Sequence, residues 1–198
     1  MTARSGARAT TDPLPSGPRG DGSLELVLLD AVPADERDVL LAAALALRLG
    51  PGQDAFVPPA TDVVDAAPAD PDRHLLVARA ASGDVVALGV LHPGGAPAEV
   101  VALLGGVGAD DVVLFRGFLV DVASQGAGVG TRVTSLLPGA VAELARVRRR
   151  AAPYAALVLT VNERNAAGRR AYARGPDGPW RLPRRGRRPA ARPGEASR

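Results

Sequence analysis

Apolar runs of strand length alternate along this chain with amphipathic stretches of helix length, and the alternation predicts most of its elements. Residues 24–29 are a short apolar run with few polar breaks, read as a strand. Pro33 and Asp35 open a helix that continues to about residue 49, with Leu40, Leu41, Ala44, Leu47 and Arg48 at helical spacing. Gly50-Pro51-Gly52 stops it. After a loop over 53–59, residues 61–67 predict a second, short helix capped by Thr61 or Asp62. Strands over 74–80 and 85–91 are joined by Ala81-Ser82-Gly83-Asp84 as a hairpin turn. The glycine-rich segment 94–110 is ambiguous and admits a short strand or helix over 99–104. Residues 112–120 are almost wholly apolar, as in a strand buried on both faces. The next helix, about 128–149, presents Val133, Leu136, Leu137, Val141, Leu144 and Val147 on one face, and Pro138 inside it predicts a kink or a break. Residues 155–161 read as another buried strand, and Glu163 or Asn165 starts a last helix to about 174.

This order, β-α-α-β-β-β-α-β-α, predicts one α/β domain with a mixed sheet over residues 23–174. The flanks, 1–22 and 175–198, are rich in glycine, proline and arginine and have no apolar period, so both are expected to be disordered.

Composition changes the picture in three places. A hydrophobic fraction of 46% over 198 residues is enough for a packed core, although aromatics reach only 3%. The absence of lysine and isoleucine beside abundant Arg, Ala, Gly and Pro marks a GC-rich coding sequence, which lowers the weight of any single Ala, Arg or Pro. With no cysteine there is no disulfide, thiolate metal site or cysteine nucleophile, and no metal site is expected. No apolar run approaches the ~18 residues of a membrane span, and the N-terminal arginines precede no apolar stretch of a secretory signal. A cytoplasmic protein is the resulting expectation. The net charge of +3 belongs to the ends: 14 arginines face 17 acids over 23–174, a net of −3. A body without basic excess and with few aromatics predicts no specific nucleic-acid partner.

The candidate chemistry lies between the strand at 112–120 and the helix after it. In Gln125-Gly126-Ala127-Gly128-Val129-Gly130, glycines at alternate positions let backbone N–H groups approach a ligand at a helix N-terminus, where free donors and the dipole favour anions. Downstream stands Leu159-Thr160-Val161-Asn162-Glu163-Arg164-Asn165, with Tyr172 seven residues on. Taken together, the two segments resemble the GNAT superfamily of acyl-coenzyme A-dependent N-acetyltransferases. Gln125, Gly128 and Gly130 match its (Gln/Arg)-x-x-Gly-x-(Gly/Ala) turn, and the succession strand, turn, helix, strand, Asn, helix, Tyr fits. The resemblance runs from about 24 to 174 and is clearest after 112.

The resemblance implies a GNAT-like mixed, mostly antiparallel central sheet flanked by helices, in a monomer or homodimer. It implies transfer of an acetyl group from acetyl-CoA to a primary amine of a small molecule or a protein. The stretch 51–57 is similar to a subgroup that includes polyamine-type enzymes. Backbone N–H groups of Gln125, Gly126, Ala127, Gly128, Val129 and Gly130 would hold the pyrophosphate. Phe118, Leu119 and Val120 would lie beside the pantetheine amide and the acetyl group, with a backbone N–H polarising the thioester carbonyl. Asn165 matches a cofactor-contacting position, with Asn162 as a second candidate, and Tyr172 matches the proton donor to the departing thiolate. Asp121, Glu99, His92 or a water chain are open as the general base.

Each assignment has a plainer alternative. Tyr172 also reads as a half-buried helix tyrosine, Asn162 and Asn165 as a turn residue and a helix cap, and Asp121 and His92 as turn residues. His74 reads as structural. Arg146, Arg148, Arg149 and Arg150 read as a solvated helix C-terminus, with the 3′-phosphate of CoA as an alternative partner. A dinucleotide fold would need glycine where Thr131 stands and an acid where the next strand ends in Val161-Asn162. No G-x-S-x-G elbow is present. Two more strands and an initial Gly-Phe would follow the tyrosine helix in the family, yet residues 174–180 read Arg-Gly-Pro-Asp-Gly-Pro-Trp. The C-terminal strands are therefore expected to be missing, through a frameshift near codon 174 or a truncation, which the sequence of the gene's 3′ end would decide. That leaves an alternative function, a catalytically impaired acyl-CoA-binding protein with an incomplete acceptor site.

Overall fold

The computed structural model describes residues 23–173; the predicted flanking segments, the expected missing strands and Arg174 lie outside them. Five strands form one sheet in the order β1-β2-β3-β4-β5: β1 (Leu24–Leu28), β2 (His74–Ala80), β3 (Val85–Pro93), β4 (Val112–Val120) and β5 (Ala156–Leu159). The first four pair antiparallel and β5 joins β4 in parallel, so the sheet is mixed and mostly antiparallel, as the resemblance implies. Five helices accompany it: α1 (Ala34–Leu45), α2 (Ala60–Asp65), α3 (Ala98–Ala102), α4 (Val129–Val147) and α5 (Ala166–Tyr172). Among the described residues, no helix is long and apolar enough to cross a membrane.

Strand alternation sends side chains to two cores, one on each face of the sheet. On one face Leu40, Ala44, Val63 and Val64 of α1 and α2 pack on Val27, Val77, Leu88, Val90 and Leu119. On the other, Val133, Leu137, Ala140 and Leu144 of α4 pack on Leu28, Leu76, Ala87, Leu91, Val113 and Phe115. Val113, Phe115 and Leu119 are all odd-numbered, yet Leu119 faces the opposite core. The switch comes from a β-bulge. Leu88 pairs with Leu119 and Val90 with Arg116, so Gly117 and Phe118 together oppose Gly89. Gly117 takes the extra residue's place at φ +58°, a conformation that favours glycine, and the alternation of β4 inverts beyond it. Gly89 makes room, since a Cβ there would stand 2.6 Å from the Phe115 ring.

Element bounds differ from the sequence reading where tertiary contacts compete. α1 ends at Leu45, about one turn early, because the chain from residue 46 turns to meet the loop after β4. The Arg48 N–H donates to Asp121 Oδ1 (2.9 Å) and the Arg48 carbonyl accepts from the Val122 N–H (2.9 Å). α2 starts after Pro59 with no side-chain cap, so neither Thr61 nor Asp62 caps it. Within the ambiguous segment 94–110, Ala98–Ala102 is helical, as α3. Pro138 does not split α4. It and Gly139 lie on the exposed side, while the buried stripe holds the helix to the sheet. Leu136 points outward at 38% exposure, and Ala140 takes the inward place. β5 is shorter than predicted and half-buried throughout.

Candidate active site

β4 and β5 pair only over residues 112–115 and 156–159. Beyond Phe115 no strand among the described residues pairs with that edge of β4, and the sheet opens into a cleft of about 570 Å³. Asp121 continues the β3 ladder by donating its N–H to the Val86 carbonyl (2.9 Å), so alternation turns the backbone groups of Val120 toward the open side. The Val120 carbonyl there accepts from Gln125 Nε2 (3.0 Å), and its N–H faces the cleft. Phe118, Leu119 and Val120 form a wall of the cleft.

The glycine turn closes one end. Gly126 and Gly128 both adopt φ +79°, and Gly128 is the N-cap of α4. A Cβ on either would enter open space, so the left-handed backbone rather than crowding calls for glycine. Gly130 has a different reason. Its missing Cβ would stand 3.1 Å from Ala171 Cβ and 3.8 Å from Phe118, so it brings α5 against the first turn of α4. The N–H groups of Val129, Gly130 and Thr131 precede the first donor of the helix, Arg132, whose N–H reaches the Gly128 carbonyl (3.1 Å). Such free donors at the start of a 19-residue helix suit an anion.

That packing places Tyr172 on the cleft. Its ring lies 6.5 Å from Phe118, which lies 5.2 Å from Phe115, and its hydroxyl makes no hydrogen bond among the described residues. Burial pushes the Tyr172 phenol up to about 12, so at neutral pH it is a neutral donor. Asn165 lines the cleft and also caps α5, its Oδ1 accepting from the Gly168 N–H (2.8 Å). The cap reading therefore holds, in a residue that also lines the cleft.

Ala127 and Asn162 stand apart from the lining. The Ala127 carbonyl accepts from the Arg132 guanidinium (3.0 Å), and Asn162 Oδ1 closes a turn on the Arg164 N–H (2.9 Å). None of the three side-chain candidates for the base lines the cleft either. Asp121 spends its carboxylate on Arg48 and Ala123 N–H groups. His92 Nε2 faces Asp70 (3.2 Å) at the end of β3. Glu99 begins α3. Among the described lining residues there is no carboxylate or imidazole, and Arg170 is the one charged side chain. No metal-ligand cluster occurs among the described residues.

The sequence reading singled out 51–57 only for its likeness to a polyamine-type subgroup and did not place it in a cleft wall. Pro51, Gly52, Gln53, Phe56 and Val57 come from the loop after α1. The stop signal at 50–52 located that loop but gave no sign of where it would lie. A further signal was compositional: the chain has two glutamines, and they meet here.

Solved structures resemble the chain at low similarity. The structure of AAC(6')-Iy in complex with the bisubstrate analog CoA-S-monomethyl-acetylneamine matches at TM-score 0.46 and 14% identity, over 76% of this chain and 88% of that one. Glucosamine-6-phosphate N-acetyltransferase from Arabidopsis thaliana matches at 0.38 and 12%, over 73% and 86%. A predicted acetyltransferase from Clostridium acetobutylicum, with acetyl-CoA, matches at 0.38 and 13%, over 76% and 86%. The likeness is to acetyltransferases. At these scores nothing about the reaction follows from it, and the geometry above stands by itself. No family model and no curated protein matches the sequence.

Proposed function

We propose that this chain is a GNAT-type N-acetyltransferase that takes acetyl-CoA as co-substrate and acetylates a primary amine of a small molecule or a protein in the cytoplasm. The observation that carries the reading is the convergence on one cleft of three features. They are an unpaired strand edge at Phe118–Val120, a glycine turn opening α4, and a neutral, partly buried phenol at Tyr172.

The cleft suits the ligand by its shape and donors. The open edge of β4 would pair with the pantetheine amide as an added strand would, and the first-turn N–H groups of α4 would hold the pyrophosphate. The Val120 N–H would stabilise the carbonyl oxygen as it gains charge. In the reaction the amine nitrogen bonds to the carbonyl carbon, the C–S bond breaks, and the nitrogen sheds a proton.

Burial keeps the Tyr172 phenol protonated at neutral pH, so it would donate an O–H···S hydrogen bond to the departing thiolate. With no carboxylate or imidazole among the described lining residues, water would carry the proton shed by nitrogen to the sulfur. The same observation favours a second reading, an acyl-CoA-binding protein impaired in turnover.

Acetyl-CoA-dependent thiol release, measured with a panel of primary amines that includes polyamines, tests both. Turnover with any amine supports the enzyme. Coenzyme A binding without turnover supports the second reading, and no coenzyme A binding removes both.

A further inference from the structure

The loop wall and the glycine turn are separate in sequence but locked together in space by the chain's two glutamines. Gln53 Nε2 donates to Gln125 Oε1 (3.1 Å) and Gln125 Nε2 donates to Gln53 Oε1 (2.9 Å), a reciprocal amide pair across 72 residues. Both side chains are satisfied further. Gln53 Oε1 accepts from the Gly50 N–H (3.2 Å), and Gln125 Nε2 reaches the Val120 carbonyl (3.0 Å). Gly50 is a glycine because the pair needs the space, since a Cβ there would lie 3.0 Å from Gln125 Oε1. The backbone bonds of Arg48 to Asp121 and Val122 run beside it and make this a two-point tether.

The pair sits at the junction of three parts of the cleft. Gln125 is the first residue of the glycine turn. Its amide also occupies the carbonyl of Val120, whose N–H faces the cleft. Gln53 begins the wall that carries Phe56 and Val57, and the N–H groups of both residues bond back to the Gln53 carbonyl (2.9 and 3.1 Å). An amide pair is suited to this task. It is neutral, so it adds no charge beside a phosphate. Both members donate and accept, so either one alone leaves the other's donor and acceptor unmatched in a half-buried site.

We propose that Gln53 is a positioning residue for the donor site. Through Gln125 it sets the glycine turn at the spacing from Val120 that coenzyme A binding requires. The proposal rests on the acyl-CoA reading above and extends it to a residue outside the family's turn motif. Gln53 touches neither phosphate nor thioester in this scheme, and its effect passes through Gln125.

The test is coenzyme A titration by calorimetry on the full chain, with Gln53→Met and Gln125→Met as near-isosteric variants, their double, and Gly50→Ala. Loss of the two amide-pair bonds and of the Gly50 N–H bond predicts that Gln53→Met weakens coenzyme A binding by about tenfold, with the free protein's thermal midpoint lowered but the fold kept. The double should bind no more weakly than Gln125→Met alone, because one coupled device is lost only once. Gly50→Ala keeps both glutamines yet crowds the Gln125 amide, so it should weaken binding in the same direction even if a Met variant folds poorly. The proposal is overturned if Gln53→Met and Gly50→Ala both bind coenzyme A within twofold of wild type. It is also overturned if the two single losses multiply in the double. A wild-type chain that binds no coenzyme A would bring down the functional reading as well, whereas wild-type binding with unaffected variants brings down this proposal alone.

Discussion

At the scale of single residues, Gly128 and Gly130 of the turn differ in what they do, and substitution separates them. Gly128→Ala would force a left-handed N-cap on a residue with a Cβ, at about 1 kcal/mol, with free space around it. Gly130→Ala has ordinary backbone but pushes on Ala171 at 3.1 Å, and so moves Tyr172. We expect the first to weaken coenzyme A binding chiefly and the second to lower kcat chiefly, as read from Kd and kcat side by side. Tyr172→Phe should lower kcat by about tenfold to a hundredfold with little change in coenzyme A affinity, since it removes only a hydrogen bond formed as the thiolate departs. An unchanged kcat would remove the phenol from the chemistry. The glycine turn was legible because a left-handed backbone and a close approach leave a spacing in sequence. Gln53 was not legible as a partner of Gln125, because a contact across 72 residues has no local signature.

At the scale of elements, β4 and β2 were legible in full and α1 was not. A continuous apolar run has few competing readings, whereas the end of α1 was decided by Asp121 and Val122, which capture Arg48 from far along the chain. The bulge at Gly117 was hidden for a related reason: one glycine in a strand does not say which face follows it. α4 makes a prediction of its own. Pro138 cannot donate to the Thr134 carbonyl one turn back, and Gly139 adds backbone freedom, both on the exposed side. Pro138→Ala should raise stability by about 1–3 kcal/mol and Gly139→Ala by about 0.5–1 kcal/mol, read as shifts of the urea midpoint. A Cβ at Gly139 meets nothing within 4 Å, so no clash opposes the gain.

At the scale of the whole molecule, pH acts through His92, which anchors the end of β3 against Asp70. Burial pushes the His92 imidazole below its usual 6.5, and the Asp70 carboxylate opposes that only in part. The unfolded chain therefore takes up the proton more readily. The contribution is complete above about pH 6.5 and is lost as pH falls through the lower folded value. The urea midpoint should drop between pH 7 and pH 5, and His92→Gln should flatten that slope. Asp70, held below 3.8 first by the Asp72 N–H, acts only in more acid solution, so the two windows are separable. The mixed sheet with its helices was legible as an element order. The split of the sheet was not, because it depends on where pairing stops rather than on which residues form strands.

That split also divides the molecule by cohesion. β5 holds to β4 by four residue pairs, is half-buried along its length, and leads into α5, which has no fully buried residue. The central strands β2 and β3, by contrast, are paired on both edges. Amide hydrogens of β5 and α5 should exchange with solvent well before those of β2 and β3, as a separate opening unit that detaches without unfolding the rest. Tyr172 belongs to that unit. The phenol proposed to hold the thiolate would then ride on the part of the protein that breathes most easily, and a bulky thioester would enter as that part swings away and be enclosed as it returns.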